Sequence, residues 1–392
     1  MIINVNSASD CQELTERIQQ TLSAKGYNMN RIRGIPKPFP SNDKDVLEAL
    51  SEAILTRQAN FASIVRILPA LKVSLSNYNI NSVAALTDSQ IRGLAAHYKG
   101  KVQARFFEIE LFAIRDNAIA LQPIMSPPGS VCTFIKSYLP AAAYNPSCNC
   151  YIRPADSPLI KCFTDPGSKF KLHGVGLAIC CEFFNNIGID ECKPDVHTIS
   201  FLNRISLDST KVKVSRRPDD VRGIGIRIAD TLQKPRAFVD SHMWVFCAED
   251  EGEICTEDDP KCTSCMLKTQ EPQLCLGFPD RTQIASDPLG AATRFRECNL
   301  TRRATYKKIV NAGLSERDTD TIVTKVYGPE RTHKVKWEDI ETYIKADPSG
   351  SAQMMKQSGL SYADNYKYMK KAGLAPAEID RILSKVYSSS KQ

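Results

Sequence analysis

Apolar residues recur every three or four positions from 43 to 94, through "DKDVLEALSEAILTRQANFASIVRILPALKVSLSNYNINSVAALTDSQIRGL", and seldom alternate with polar ones. That period predicts amphipathic helices rather than strands. Within the run, "TDSQ" is a helix start, with Thr87 as N-cap and Gln90 three residues on to close a capping box. Another helix is expected over 102–121. From 123 to 170 Pro, Ser, Cys and Asn break the pattern ("MSPPGS", "YNPSCNCYIRPADSP"), which predicts a long insertion with little regular structure. Helix returns at about 175 and again near 219 to 247.

The last hundred residues contain a duplication. "YKKIVNAGLSERDTDTIVTKVY" at 306–327 matches "YKYMKKAGLAPAEIDRILSKVY" at 366–387, a spacing of 60. Tyr306, Gly313, Leu314, Asp320 and Tyr327 recur as Tyr366, Gly373, Leu374, Asp380 and Tyr387. Each copy reads as helix, Gly-Leu turn, helix. Two copies predict a duplicated module packed on itself, either a structural cap or a second surface for DNA or a partner.

Composition narrows the class. At 392 residues the chain exceeds one compact core, so two or three domains are expected. Hydrophobic content of 42% with 24% charged residues is globular, not disordered. No apolar run reaches membrane-spanning length, and "MIINVNSASDCQELTERIQQ" lacks the layout of a signal peptide. A cytosolic or nucleoid protein is expected. The net charge of +7, concentrated in "KVKVSRRPDDVRGIGIRIADTLQKPR" and "RFRECNLTRRATYKKIV", fits a nucleic-acid partner. Fourteen cysteines in a reducing compartment point to a metal or cluster site rather than to disulfides.

"KLHGVGLAICCEFFNNIGIDECKPDVH" (171–197) holds the candidate chemistry. Gly174, Val175 and Gly176 form a sharp turn before an apolar helix, and unpaired N–H groups at such a helix start suit a phosphate oxygen. A plain interhelical turn has the same residues. Asp195 follows the helix and a short link that can return the chain beside the bend. There it would stabilise positive charge on a sugar, or simply cap the next helix.

Hairpin, helix and the Asp-x-His of Asp195 and His197 resemble the helix-hairpin-helix DNA glycosylase superfamily, in its endonuclease III and MutY-like branch. The order continues into "VDSHMWVFCAEDEGEICTEDDPKCTSC", which is similar to that branch's approach to an iron–sulfur loop. Cys255, Cys262, Cys265 and Cys275 are spaced C-x6-C-x2-C-x9-C. Four thiolates suit a [4Fe–4S] cluster or tetrahedral zinc, and the company of the hairpin favours the cluster. The last gap is longer than the family's. Cys247 reads as a packing residue rather than a fifth ligand, and Cys180 and Cys181 as core. "LTRQAN" resembles the family loop that enters the duplex, making Gln58 the wedge and Thr56 the small hydroxyl beside it. His173 would join the bend in binding DNA.

The resemblance covers about 45–280, interrupted near 123–170 and 203–235. It implies an all-α, two-lobed fold: an N-terminal helical extension (1–44), a glycosylase-like core (45–246), an iron–sulfur loop (247–280) and the duplicated module (281–392). It implies double-stranded DNA as partner, no membrane, a monomer, and the cytoplasm of a bacterial or phage-infected cell. Bifunctional members carry a Schiff-base lysine two residues past the second glycine. Here that residue is Ala178, and no other lysine is an obvious substitute, so a monofunctional glycosylase is expected. The family's basic loop between the first two cysteines is replaced by the acidic "TEDDPK", leaving the basic stretch around "VSRRPDDVRGIGIR" or the repeats to meet phosphate. Two alternatives remain. One is a phage-type thymine-hypermodifying amino acid:DNA transferase acting on activated 5-hydroxymethyluracil. The other is a DNA-binding protein without chemistry. His197 itself reads as a packing residue.

Overall fold

The computed structural model describes residues 3–388, except 58, 103, 105, 126–128, 155–157, 206–216, 250, 257–259, 271–274, 276–278, 280, 298–299, 329–340, 342–343, 346 and 358–361. The described chain is almost wholly helical, and two strands of two residues each form its one small ribbon, Tyr144–Asn145 with Cys150–Tyr151. It divides into two compact units, Met1–Val326 and Tyr327–Gln392.

Two hydrophobic cores among the described residues carry most of the first unit up to 275. Its opening helix, α1 (Ala8–Ala24), buries Cys11, Leu14, Ile18 and Leu22 in a core shared with residues from 192 to 275. Residues 1–44 are therefore not a separate extension: Ile3 and Val5 join the same core. The other core runs from 39 to 189. It contains α2 (Asp43–Leu55), α3 (Phe61–Ser74), α4 (Ile80–Ala84), α5 (Asp88–Tyr98), α6 (Phe107–Leu121), α7 (Val131–Ser137), α8 (Leu159–Thr164) and α9 (Leu177–Asn186). The predicted capping box at Thr87 and Gln90 starts α5, with both reciprocal hydrogen bonds formed.

The stretch 123–170 is more ordered than its Pro and Asn content predicts. α7 and α8 bury Val131, Ile135, Leu159 and Phe163 in this core, because short apolar pairs at helical spacing pack even between breakers. Against the expectation of no disulfides, Cys148 and Cys150 are bonded. Asn149 between them has a φ of 49°, which folds the two Cα atoms to 5.3 Å, within bridging range.

The second core adds α10 (Val196–Arg204), α11 (Pro218–Leu232), α12 (Arg236–Cys247) and α13 (Met266–Thr269) to α1. Helix predicted over 219–247 is broken at Gln233, whose φ of 54° ends α11 before Pro235 starts α12. The cut between the two cores thus falls near 190, inside the expected 45–246 domain.

α14 (Arg281–Ser286), α15 (Pro288–Glu297), α16 (Arg302–Asn311) and α17 (Glu316–Tyr327) complete the first unit's helices. The second unit contains α18 (Pro348–Gln357), α19 (Tyr362–Lys371) and α20 (Pro376–Ser388), around Ile344, Ala352, Met369, Ile379 and Leu383. The duplicated segments lie one in each unit, so 281–392 is not a single module. Their turns are alike: Gly313 and Gly373 both take positive φ, and the next N–H in each, Leu314 and Leu374, returns to the carbonyl of Ile309 or Met369. The repeat also starts earlier than its Tyr. α15 and α18 both open on Asp-Pro-x-Gly, where Asp287 and Asp347 accept from the N–H of Gly290 and Gly350 at 2.9 Å.

Candidate nucleic-acid and cluster site

The bend at 172–176 is held from behind by α6. Glu110, Ala113 and Asn117 share one face of that helix at helical spacing. Asn117 Nδ2 donates to the His173 carbonyl at 3.0 Å, and its Oδ1 accepts the His173 N–H at 2.6 Å. Ala113 Cβ would stand 3.5 Å from a Cβ on Gly174, whose φ of 70° already demands glycine. Val175 is buried as the anchor of the bend, whereas Gly174, Gly176 and the His173 side chain are exposed. Gly176 is the N-cap of α9 and no side chain caps that helix, which leaves its first N–H groups without a side-chain acceptor.

The same α6 face reaches the loop after α2. Arg57 Nε lies 3.4 Å from Glu110 Oε1 and its guanidinium stacks over Phe106. Glu110 is fully buried, and burial, only partly offset by Arg57, pushes its carboxyl up to about 7. Thr56 is spent on its own helix: its hydroxyl donates to the Ala53 carbonyl at 3.1 Å, which closes the end of α2. Gln58 lies outside the described residues.

Beyond α9 the chain turns back along that helix. Asn185 exchanges two hydrogen bonds with the Glu191 backbone, at 2.9 and 3.0 Å. Two residues on, Lys193 Nζ reaches Glu182 Oε2 at 3.3 Å and Asp195 Oδ2 at 3.6 Å. Asp195 is the N-cap of α10, with Oδ1 accepting the Thr198 N–H at 3.0 Å. The capping use expected of this carboxylate is therefore met by one oxygen, while the other faces the ammonium. Asp195 and Lys193 keep 13% and 18% of their side-chain surface, so the pair is lined by protein without being sealed. Burial alone would lower the Lys193 amine, but Glu182, Asp195 and Asp240 overcome it and hold the amine above its usual range, as an ammonium. Burial, then Asp195, pushes Asp240 well up; one of its oxygens accepts the Lys193 N–H at 3.0 Å.

Lys193 does not stand at position 178, where the resemblance would place a lysine, and by sequence position alone it is no obvious substitute. The signal was present in "KPD". The residue before a proline is held extended, and residues i and i+2 of extended chain point the same way.

His197 packs edge-to-face on Trp244, with centroids 6.4 Å apart, and Trp244 on Phe61 at 6.0 Å. Phe61 begins α3, directly after the 56–60 loop, so this aromatic row joins the Asp195 helix to the other core. His242 is a neutral structural residue. Its Nδ1 meets the Phe238 carbonyl at 2.7 Å and its Nε2 meets Gln19 at 2.9 Å, while burial lowers its basicity.

At the far end of α10 the four cysteines meet. Cys255, Cys262, Cys265 and Cys275 line one small pocket with Arg204. The Cys275 backbone bridges to Ile205, just past α10. Arg204 Nη1 donates to Cys255 Sγ at 3.3 Å and to the carbonyls of Cys255 and Thr256 at 2.8 and 2.7 Å. Cys247 is buried beside Cys255; its hydrogen bond, together with Arg204, brings the Cys255 thiol down to about 6 against the cost of burial. An all-sulfur donor set beside a guanidinium fits an iron–sulfur cluster, whose ligands are thiolates. Among the described residues, no group of three or more His, Cys, Asp or Glu side chains is arranged to hold a metal ion. Cys180 and Cys181 are core, as expected.

Arg222, in the basic stretch, is bound to Glu191 through two contacts at 2.6 and 2.8 Å, with Arg236 on the same carboxylate at 3.4 Å. It holds α11 to the 191 link instead of facing solvent. The acidic residues 257–259 lie outside the described residues. A wider cavity of about 450 Å³, edged by Arg66, His97, Tyr98 and Lys101, sits in the first core and shares no residue with the Asp195 group. No helix among the described residues is long and apolar enough to cross a membrane.

No family model, curated protein or solved structure matches the chain. The function is therefore argued from the arrangement of its own residues.

Proposed function

We propose that the chain is a helix-hairpin-helix enzyme that acts on a base everted from double-stranded DNA, as a monofunctional glycosylase. The uncapped N–H groups at Gly176 and the start of α9 take a backbone phosphate, and the loop carrying Gln58 fills the space that the base leaves. The glycosidic C–N bond then breaks, with its electron pair leaving on the base. The Asp195 carboxylate stabilises the cationic sugar, and water adds to its anomeric carbon. Cys255, Cys262, Cys265 and Cys275 would hold a [4Fe–4S] cluster, which would tie the 255–275 loop to the end of α10.

The reading is carried by the largely buried but unsealed Asp195 carboxylate beside Lys193, on a chain segment running back along the helix that the glycine bend opens. A charged Lys193 is a poor nucleophile, in keeping with hydrolysis without a lyase step. The test is mass spectrometry of released bases and nucleosides after incubation with DNAs of varied modification. A free base with an intact abasic strand supports the proposal. A borohydride-trapped protein–DNA adduct that disappears in Lys193→Met overturns its monofunctional part. Metal analysis that finds zinc in place of iron overturns the cluster.

One observation favours a second reading. A transferase acting on an activated hydroxymethyluracil needs a cation for its anionic leaving group, and the Lys193 ammonium would supply one. A mass gain on thymine that depends on added amino acid, with no released base, selects that reading. Tight DNA binding with neither product selects a binding protein.

A further inference from the structure

Lys171 precedes the bend and turns its side chain back into it. Its Nζ donates to the carbonyls of Leu172 at 2.8 Å, Phe163 at 3.5 Å and Val175. An ammonium has three N–H donors, and here each faces a backbone carbonyl. No carboxylate among the described residues pairs with it. The amine lies below its usual range because burial costs it hydration, which the neighbouring Cys180 offsets only in part.

Two of the three carbonyls are fixed independently of the lysine. The Phe163 carbonyl also accepts the Leu172 N–H at 3.0 Å, and the Leu172 carbonyl accepts the Val175 N–H at 3.4 Å. The bend therefore has two chemical faces. Its carbonyls converge inward on one positive charge, while the first N–H groups of α9 have no side-chain acceptor. A ring of backbone carbonyls around a compact charge is how proteins hold potassium, an ion comparable in size to ammonium.

We propose that the Lys171 ammonium is a built-in replacement for a bound monovalent cation. It fixes the carbonyl side of the bend and places a permanent charge behind the amides on the other side. Removal of the amine should leave a cage that takes potassium or ammonium from solution. Lys171 is then a positioning residue, and its effect on phosphate binding rests on the DNA reading above, whereas the cage does not.

The test compares full-length protein in potassium chloride and in choline chloride at equal ionic strength, choline being too large for the cage. Wild type should melt at the same temperature in both salts. Lys171→Ala should melt several degrees lower in choline and recover in potassium, while Lys171→Met, whose apolar stem fills the cage, should stay low in both. A Lys171→Ala variant indifferent to the cation overturns the proposal. If no variant folds in either salt, lysine acetylation of the wild-type chain decides. Lys171 should react at least roughly tenfold more slowly than the exposed Lys169, and equal labelling overturns the cage. DNA affinity of Lys171→Ala should follow the same salt preference, by roughly tenfold. If wild type binds no DNA, the melting result still judges the cage, and only the DNA reading fails.

Discussion

Gly174 and Gly176 stand two residues apart in the bend, and their reasons for being glycine differ. Gly174 sits at a φ of 70° against Ala113, so the fold itself requires it. Gly176 has an ordinary extended φ of −101°, and a Cβ there would meet nothing within 4 Å. Nothing inside the described protein forbids a side chain at 176; a ligand approaching the backbone would. Gly176→Ser should therefore keep or slightly raise the melting temperature, since Ser is a good N-cap. It should weaken DNA binding by roughly tenfold, or ~1.4 kcal/mol, as measured by titration. Gly174→Ala should instead lose about 1–2 kcal/mol of stability, because the left-handed backbone is strained for any Cβ.

Glu110 gives a second residue-scale prediction. Its folded carboxyl lies near 7, above its unfolded value of 4.5, so the folded state binds the proton more tightly. The cost of ionising it is absent below about 4.5, grows as pH rises, and is fully present above about 7. Glu110 Oε2 also has no hydrogen-bond partner among the described residues. Glu110→Gln should raise stability at pH 8 by about 1–3 kcal/mol, with the gain vanishing toward pH 4.5. Equal gains at both pH values in thermal melts would show that the carboxyl is not buried as described.

At the scale of an element, α10 joins the two candidate centres. Asp195 caps its start and Arg204 in its last turn holds Cys255, a span of about 13 Å at the usual helical rise. Because Asn caps a helix as well as Asp does, Asp195→Asn should leave the melting temperature within a degree or two and abolish turnover, with DNA binding retained. Loss of binding together with turnover would remove the assigned role. Much of this was legible locally: "TDSQ" encodes its capping box, and "HGVG" its bend. The "DPLG" and "DPSG" starts of α15 and α18 were equally readable at the same 60-residue offset, though hidden because the stretch between them and Tyr306 or Tyr366 barely matches.

At the scale of the molecule, the two cores of the first unit differ in what holds them. The 39–189 core is chiefly aliphatic and aromatic and holds none of the four clustered cysteines, whereas Cys255, Cys265 and Cys275 are part of the other. Cys262→Ser should therefore bleach the brown iron–sulfur absorbance and unfold the 192–275 core first. Limited proteolysis should then leave a resistant fragment near 39–189. Unchanged iron content would refute the ligand set.

The sequence by itself determined the helices, the bend and the cysteine spacing, because each depends on residues within a few positions of one another. The tertiary structure decided what the distant segments do. It packs the N-terminus against α11–α13 and uses Arg222 on Glu191. It also sets Lys193 against Glu182 and places Lys171 among three carbonyls. Such pairings are fixed by where burial puts each charge, and a buried charge takes whichever opposite group or dipole the packed chain brings within reach.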